Sequence, residues 1–292
     1  RKEKRKESKP SIIAILQPID KFSMHSWNIF TRIINETEQH LVAQGYFPII
    51  SPVNNILPSE ETCNKLLEMH VKAVISIHHI EDSLFSALKR QGIPVVIVNN
   101  SSLENSYTSV LVDDFQGAYN AAQELVSKGH KQILYMDYPR TDLPNILVDR
   151  RMGVQKAGLE YEKKGCRFHI VQVPYYDAKS IKKALGIIEK EHITAILLHD
   201  DYLAASVYMV LKELNYQIPE DISMISTGGG VLDYTLASTP QISAYQLDVD
   251  LMGKIVGEET LRLIKLDKPE ESVRALRTKQ LYADRHSIAC LK

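Results

Sequence analysis

The chain has 292 residues, of which 44% are hydrophobic and 24% are charged, and its formal net charge is −1 at pH 7. This composition is typical of a soluble globular protein with two domains. The sequence contains no run of about 18 apolar residues, which excludes a membrane-spanning protein. Residues 1–9 contain six basic and two acidic side chains, so the net charge of the remaining residues is −5. A nucleic-acid-binding domain is expected to be basic on one face, and this part of the chain is acidic overall. Three widely spaced cysteines predict neither a disulfide framework nor a zinc site, which favours a reducing cytoplasmic location.

The first third of the chain alternates short apolar runs with helical patterns. The predicted strands are 11–16, 47–50, 73–77 and 95–98, and the helices between them are one ended by Gly45, then 59–69 and 81–91. The first helix is expected to bury Ile33, Leu41 and Val42 on its inner face. This spacing indicates βαβ units and a parallel sheet.

The stretch 110–136 is the centre of the predicted architecture. It reads as a strand, a helix and a second strand, with Gly129 at the helix end. Asp113 or Asp114 can cap the amino end of this helix. The helix presents an apolar face made of Ala118, Ala121, Ala122, Leu125 and Val126.

The second half repeats the alternation and then departs from it. The predicted strands are 132–136, 168–173, 195–198 and 222–225, with helices at 149–163, 178–191 and 202–214, followed by a segment 242–245, a helix 248–266 and a strand 279–282. The predicted fold is therefore α/β, with two Rossmann-like lobes whose parallel sheets are joined by a hinge of chain crossovers. Expected domains are a linker at 1–10, a first lobe of 11–130 with 244–278, and a second lobe of 131–243 with 279–292.

Signatures of enzymes are mostly missing from the sequence. Neither a nucleophile elbow, a Walker A motif nor a zinc-protease motif is present. Glycines 228–230 follow a strand but lack the lysine and hydroxyl of a phosphate loop, so we interpret them as a flexible loop. His78 and His79 are adjacent at a strand end and point in opposite directions, which favours a polar contact over a metal.

Polar and aromatic residues cluster at the predicted strand ends. Aromatic faces with Asp, Asn and Arg suit a polyhydroxylated ligand, because sugar C–H faces stack on rings and each hydroxyl needs a donor and an acceptor. The alternative is that these are loop residues and helix caps, with Asp149 and Asp201 as plausible caps. The candidates are Asp20, Phe22, Trp27, His78, Asn99, Asn145, Arg150, Tyr176 and Asp200.

Five segments together resemble the effector-binding domain of LacI/GalR bacterial transcription regulators: 92–100, 112–136, 150–158, 195–226 and 239–261. The resemblance implies the fold of type 1 periplasmic sugar-binding proteins, a homodimer, and a sugar or related small molecule that changes the affinity for operator DNA. It implies no catalysis, cofactor or metal.

Residue by residue, the resemblance assigns roles within this site. Arg150 matches the arginine of an Arg-x-x-Gly pattern and would bond ligand hydroxyls bidentately, and Asp200 replaces the usual asparagine of Asn-Asp-x-x-Ala. The other matches are Tyr176 as a stacking ring, Asn99 after the fourth strand and Gln246 after a crossover. Two departures from the family pattern bear on the identity of the ligand. Residues 226–229 lack the aspartate that commonly binds sugar in this family. The first loop is also longer than usual, as it is in arabinose repressors, which carry a GntR-type winged-helix DNA-binding domain.

The sequence therefore predicts a cytoplasmic effector-binding and dimerisation domain of a transcription regulator, a repressor of carbohydrate-utilisation genes. Its partners would be a mono- or disaccharide, a second copy, and operator DNA through an N-terminal domain that ten residues cannot contain. One alternative is a sugar-binding protein of a transport system. Another is an enzyme that uses Asp200 and Asp201 on a sugar or nucleotide.

Overall fold

The computed structural model describes residues 11–18, 23–53, 59–78, 82–139, 145–174, 177–229 and 238–291. Its strands are β1 (Ser11–Pro18), β2 (Tyr46–Val53), β3 (Ala73–Ile77), β4 (Val95–Val98), β5 (Thr108–Val112), β6 (Gln132–Asp137), β7 (Arg167–Gln172), β8 (Ala195–Leu198), β9 (Ser223–Gly229), β10 (Ser243–Leu247), β11 (Ala275–Thr278) and β12 (Gln280–Ala283). Its α-helices are α1 (Ser23–Ala43), α2 (Ser59–Glu68), α3 (Asp82–Arg90), α4 (Asp114–Ser127), α5 (Ile146–Tyr161), α6 (Ala178–Leu185), α7 (Ile187–Lys190), α8 (Asp201–Glu213) and α9 (Val249–Ile264).

The chain forms two compact units and passes between them three times. Unit 1 comprises Arg1–Leu111 and Val249–Leu276, and unit 2 comprises Val112–Asp248 and Arg277–Lys292. Two of the passages fall within β5 and β11, and the third directly precedes α9. The predicted α/β fold with two Rossmann-like lobes is confirmed.

Unit 1 is built on a six-stranded sheet in the order β11-β5-β4-β3-β1-β2. Strands β1 to β5 pair in parallel. All five residues of β3 and all four of β4 are buried, because helices cover both faces of a parallel sheet and its central strands need apolar side chains on both sides.

Unit 2 contains the second six-stranded sheet, in the order β12-β10-β9-β8-β6-β7. Strands β6 to β10 pair in parallel, and β12 pairs with β10 in the antiparallel direction. The carboxyl ends of β6, β8 and β9 therefore lie along one edge of this sheet, which we call the carboxyl edge of unit 2. In open α/β sheets ligands bind at this edge.

Helix α4 belongs to unit 2, whereas the predicted first lobe extended to residue 130. The reason is packing, because the apolar face of α4 joins the core that contains Tyr135 and Leu197. The face consists of Ala118, Ala121, Ala122 and Leu125, all without solvent exposure.

Four local predictions differ from the structure. Helix α5 begins at Ile146 instead of 149, and the predicted helix 178–191 is divided into α6 and α7 at Gly186. Val42 is 58% exposed and does not face the core. Strand β11 lies between the predicted helix 248–266 and the predicted strand 279–282, where no strand was predicted. Within the described ranges, no helix combines the length and apolarity needed to cross a membrane.

Candidate functional site

Arg150 is the centre of a buried polar network at the carboxyl edge of unit 2. Its Nε donates to Asp114 Oδ1 at 2.7 Å, its Nη2 lies 2.6 Å from the same oxygen, and its Nη1 donates to the His199 carbonyl at 2.7 Å. The side chains of Arg150 and Asp114 are only 7% and 4% exposed. All three guanidinium nitrogens therefore hold protein acceptors, and the pair is shielded from solvent.

The Arg-x-x-Gly pattern explains how this contact forms. A Cβ atom at Gly153 would overlap the carbonyl oxygen of Phe115 in the first turn of α4. Because Gly153 has none, α5 approaches α4 closely enough for Arg150, one turn earlier, to reach Asp114. Asp113 caps α4 by accepting from Gln116 N at 3.1 Å, which leaves Asp114 for the ion pair.

Burial raises the pKa of the Asp114 carboxyl, and the charge and hydrogen bonds of Arg150 oppose that rise. For Arg150, burial acts to lower the pKa, but Asp114 outweighs it and the pKa is raised. Because a guanidinium does not lose its proton in proteins, Arg150 is charged in this network, and it stabilises the charged form of its partner.

Gln280 connects the ion pair to the end of β9. Its Nε2 donates to Asp114 Oδ1 at 3.2 Å, and its Oε1 accepts from the Gly228 amide at 3.3 Å. Gly228 has φ +68°, and a Cβ there would overlap the Arg150 guanidinium. A Cβ at Gly229 would overlap the Asp201 carboxylate. Both glycines end a buried strand, so the predicted flexible loop is wrong for these two residues.

A second ion pair joins Asp137, the last residue of β6, to Arg151. Arg151 Nε donates to Asp137 Oδ2 at 2.6 Å, and Nη2 donates to the Tyr138 carbonyl at 3.3 Å. With its amide oriented to accept from Arg151, the Gln172 oxygen lies 2.5 Å from Nη2. Burial raises the pKa of Asp137, and Arg151 opposes that rise.

Asp200 follows β8 and caps α8. Its Oδ1 accepts from the Leu203 amide at 2.8 Å and from the Tyr138 hydroxyl at 3.0 Å. Burial raises the pKa of Asp200. Asp201, proposed as the cap from the sequence, is instead the first residue of α8 and accepts from Ser226 Oγ at 2.5 Å.

His199 is buried between these groups. Its Nδ1 lies 3.3 Å from the Tyr135 hydroxyl, and its ring meets that of Tyr138 edge-on at 5.6 Å. Burial lowers the pKa of His199 well below its usual value, and Arg150 and Arg151 lower it further. The imidazole is therefore neutral near pH 7.

This neutral histidine predicts a loss of stability in mild acid. Above a pH of about 6.5 the His199 imidazole is unprotonated in both the folded and the unfolded state. Below that pH it is protonated in the unfolded state but stays neutral in the folded state, so the folded state loses stability. Between pH 7.5 and 5.5 this single site should cost about 1 kcal/mol. We expect His199→Gln to reduce the stability lost over that interval by this amount in urea denaturation. His192→Gln, at an exposed turn, is the control, and equal pH dependence in His199→Gln and the wild type would contradict the prediction.

Polar residues also lie at the carboxyl ends of β3 and β4 in unit 1. His78 and Asn99 follow β3 and β4, and both have positive φ, +62° and +57°. The His78 ring lies 5.2 Å from that of Phe30. Asn100 is fully buried, and its Oδ1 accepts from the Ser102 amide at 3.1 Å and from its hydroxyl at 2.6 Å. The Asn100 amide nitrogen has no partner among the described residues.

The structure places the predicted site residues in different surroundings. Arg150 and Asp200 lie in one network through His199 and Tyr138, Asn145 directly precedes α5 without a side-chain cap bond, and Gln246 on β10 accepts from Arg285 at 2.9 Å. Asp20, Phe22 and Tyr176 lie outside the described residues. So does the side chain of Trp27, whose backbone is part of α1.

Sequence reasoning missed three members of the network. Asp137 and Tyr138 directly follow a predicted strand, so the strand-end criterion could have found them. Gln280 gives no local signal, because it lies 166 residues from Asp114. In the described part of the chain, no group of three or more His, Cys, Asp or Glu side chains is arranged to hold a metal ion.

Comparisons with known proteins agree with this fold. Residues 122–288 match the family described as periplasmic binding protein-like domain. The arabinose metabolism transcriptional repressor of Geobacillus stearothermophilus is 25% identical over 229 residues, which are 73% of this chain and 60% of that protein. This chain thus spans about three fifths of the length of that relative.

Two solved structures share the architecture over nearly the whole chain. A LacI family transcriptional regulator from Enterococcus faecium with bound ribose has a TM-score of 0.76 at 22% identity, covering 97% of this chain and 100% of that one. The LacI family regulator CCPA from Weissella paramesenteroides with bound glucose has a TM-score of 0.75 at 17% identity, covering 96% and 99%. The resemblance to the effector-binding domains of LacI/GalR regulators is confirmed, and the chain belongs to the family of periplasmic binding protein-like domains.

Proposed function

We propose that this chain is the effector-binding and dimerisation domain of a bacterial transcription regulator, a repressor of carbohydrate-utilisation genes that acts in the cytoplasm. The observation that carries the proposal is the Arg150 network at the carboxyl edge of unit 2, where a fold of this class binds its ligand. Support comes from a relative named as an arabinose metabolism repressor and from similar structures that hold ribose or glucose.

The chemistry of this edge suits a mono- or disaccharide. Each sugar hydroxyl both donates and accepts a hydrogen bond, and the edge presents carboxylates beside guanidinium and tyrosine hydroxyl donors. Within the proposal Arg150 and Asp200 contact the ligand, together with Asn145 and the aromatic ring of Tyr176. His78, Asn99, Asp20, Phe22, Trp27 and Gln246 complete the proposed binding residues. The proposal assigns no catalytic step, cofactor or metal to these groups.

A ligand bound here would bias a conformational equilibrium. Asp114 and Gln280, which hold Arg150 and Gly228, lie within three residues of two chain passages between the units. A sugar that prefers one arrangement of this network would shift the population of the whole chain toward it. An operator-binding domain, joined before residue 11, would respond to that shift.

The proposed homodimer has a candidate surface in unit 1. Strand β2 is at the edge of the sheet and exposes Phe47 by 57% and Ile50 by 49%, and the nearby helix α1 exposes Val42 by 58%. Exposed apolar side chains beside an unpaired strand edge favour association. Sedimentation of the chain at micromolar concentration should show a dimer.

The experiment that tests the function is a thermal-shift screen of the purified chain against arabinose, ribose, glucose and disaccharides, followed by calorimetry. A ligand at 100 times its dissociation constant should stabilise the folded chain by about 2.7 kcal/mol. The chain alone should not bind operator DNA tightly. A screen in which none of the sugars stabilises the chain would contradict the proposal.

A further inference from the structure

We propose that unit 1 holds a second small-molecule site, which takes a carboxylate with an apolar body and is separate from the proposed sugar site. The site is a cavity at the amino ends of β4 and β5. Sugars and other ligands of open α/β sheets bind beyond the opposite, carboxyl ends of the strands. The cavity is therefore a site of its own, and the proposal holds whether or not a sugar binds to the chain.

The cavity contains about 350 Å³ of space that is partly open to solvent. Its lining comes from the end of α3, the turn into β4, the turn into β5, the end of α9 and the segment before β11. Such a lining removes the apolar groups of a ligand from water but offers few partners to sugar hydroxyls. The apolar lining residues are Ile93, Pro94, Val95, Leu263, Pro269 and Val273.

Tyr107 lines the cavity and is held in place by its neighbours. It is 6% exposed, its hydroxyl donates to Asp82 Oδ1 at 2.8 Å, and the same hydroxyl lies 3.2 Å from Ser86 Oγ. The ring of Phe85 meets the Tyr107 ring edge-on at 5.7 Å. Burial raises the pKa of Tyr107, so the phenol keeps the proton that it donates. The hydroxyl is thus used within the protein, and the ring remains as the contribution of Tyr107 to the cavity.

Lys89 supplies the positive charge of the lining. Its Nζ lies 5.7 Å from the centroid of the Tyr107 ring, and within the described ranges it forms no ion pair with a carboxylate. Two acidic side chains of this region are engaged elsewhere, because Asp82 accepts from Tyr107 and Glu271 lies 2.7 Å from Lys268 Nζ. An ammonium group beside an apolar lining complements a carboxylate carried on an apolar body.

A ligand in this cavity would contact the segment that leads into β11. Pro269 and Val273 belong to that segment, and Ser272 between them is bonded to α9. Arg262 Nη1 donates to the Ser272 hydroxyl at 2.8 Å and its Nη2 to the Ser272 carbonyl at 3.1 Å, and Thr108 Oγ1 donates to the same carbonyl at 3.4 Å. The chain passes from unit 1 to unit 2 within β11. The ligand would therefore stabilise residues next to one of the passages between the units.

An NMR titration of the isotope-labelled chain tests the site, with phenylacetate as the probe. Phenylacetate should bind in the millimolar range and shift the amide signals of Ile93, Val95 and Thr108, which line the cavity. Phenylethanol has the same ring without the charge and should bind at least about threefold more weakly, on the scale of an exposed ion pair. Failure of phenylacetate to shift these signals at millimolar concentration would overturn the proposal and leave the proposed function intact.

Two variants locate the bound probe. Lys89→Met keeps an apolar stem but removes the charge, so phenylacetate should lose its advantage over phenylethanol. Lys65→Met, at an exposed position of α2, is the control and should keep that advantage. Val273→Phe should fill part of the cavity and weaken the binding of both aromatic compounds at least about tenfold.

Circular dichroism shows that the variants are folded, and the sugar found in the screen should bind to them as it does to the wild type. Unchanged affinity for phenylacetate in folded Val273→Phe would place the probe outside the cavity and overturn the site. An undiminished preference for phenylacetate over phenylethanol in Lys89→Met would overturn the assignment of a carboxylate ligand.

Discussion

Arg150→Met is expected to lower the free energy of unfolding by about 3–5 kcal/mol, because it leaves the Asp114 carboxylate buried without its charged partner. If Arg150 only contacted the ligand, as the sequence alone suggests, its substitution would leave the fold intact. The buried ion pair changes that expectation, since the same side chain connects α5 to α4 and to the end of β8. Urea denaturation followed by circular dichroism measures the loss.

A double variant separates the structural role of Arg150 from its proposed contact with the ligand. Arg150→Met with Asp114→Asn removes both charges, so at least half of the lost stability should return. Affinity for the sugar found in the screen should remain at least tenfold weaker than in the wild type. Wild-type affinity in the stable double variant would remove Arg150 from the proposed ligand site.

Core strands of the sheets could be predicted because each is an apolar run, interrupted only by the small Ser76 in β3. The predicted ranges 73–77, 95–98 and 195–198 coincide with β3, β4 and β8, all of whose residues are buried. A strand covered on both faces needs apolar side chains at nearly every position, so its pattern can be recognised without knowledge of its neighbours.

Edge elements were harder to predict because their stability comes from distant partners. Strand β11 contains Arg277 and follows Arg274, whose carbonyl accepts from the Ser109 amide at 2.7 Å. That bond joins residues far apart in the sequence and leaves no periodic pattern. Val42 follows the helical apolar pattern of α1, but the pattern does not reveal where the covered face ends.

Two residues of the network could be predicted from the sequence, but the hydrogen bonds that join its residues could not. Strand-end position and the Arg-x-x-Gly pattern identified Arg150 and Asp200 as candidates, but no local rule pairs Arg150 with Asp114 or places Gln280 between Asp114 and Gly228. These bonds depend on how closely two helices and three strands approach. Such distances follow from packing of the whole unit and are absent from any window of sequence.

Gly228→Ala is expected to lower the free energy of unfolding by about 2–5 kcal/mol. The left-handed backbone at φ +68° costs an L side chain about 1–2 kcal/mol, and the added methyl group would overlap the Arg150 guanidinium, at an overpacking cost of about 1–3 kcal/mol. The guanidinium cannot easily withdraw, because Asp114 and His199 hold it. Urea denaturation again measures the effect.

Removing the obstructing side chain tests this explanation. In an Arg150→Ala background Gly228→Ala should lose only the backbone cost, about 1–2 kcal/mol. Gly158→Ala is the control. Gly158 lies inside α5, and a Cβ there would be in ordinary contact with the Phe168 ring at 3.7 Å. This substitution should leave the free energy of unfolding unchanged or raise it by up to about 1 kcal/mol. Equal losses from Gly228→Ala in both backgrounds would mean that backbone strain alone accounts for the glycine, and that the close approach of Arg150 to β9 does not require it.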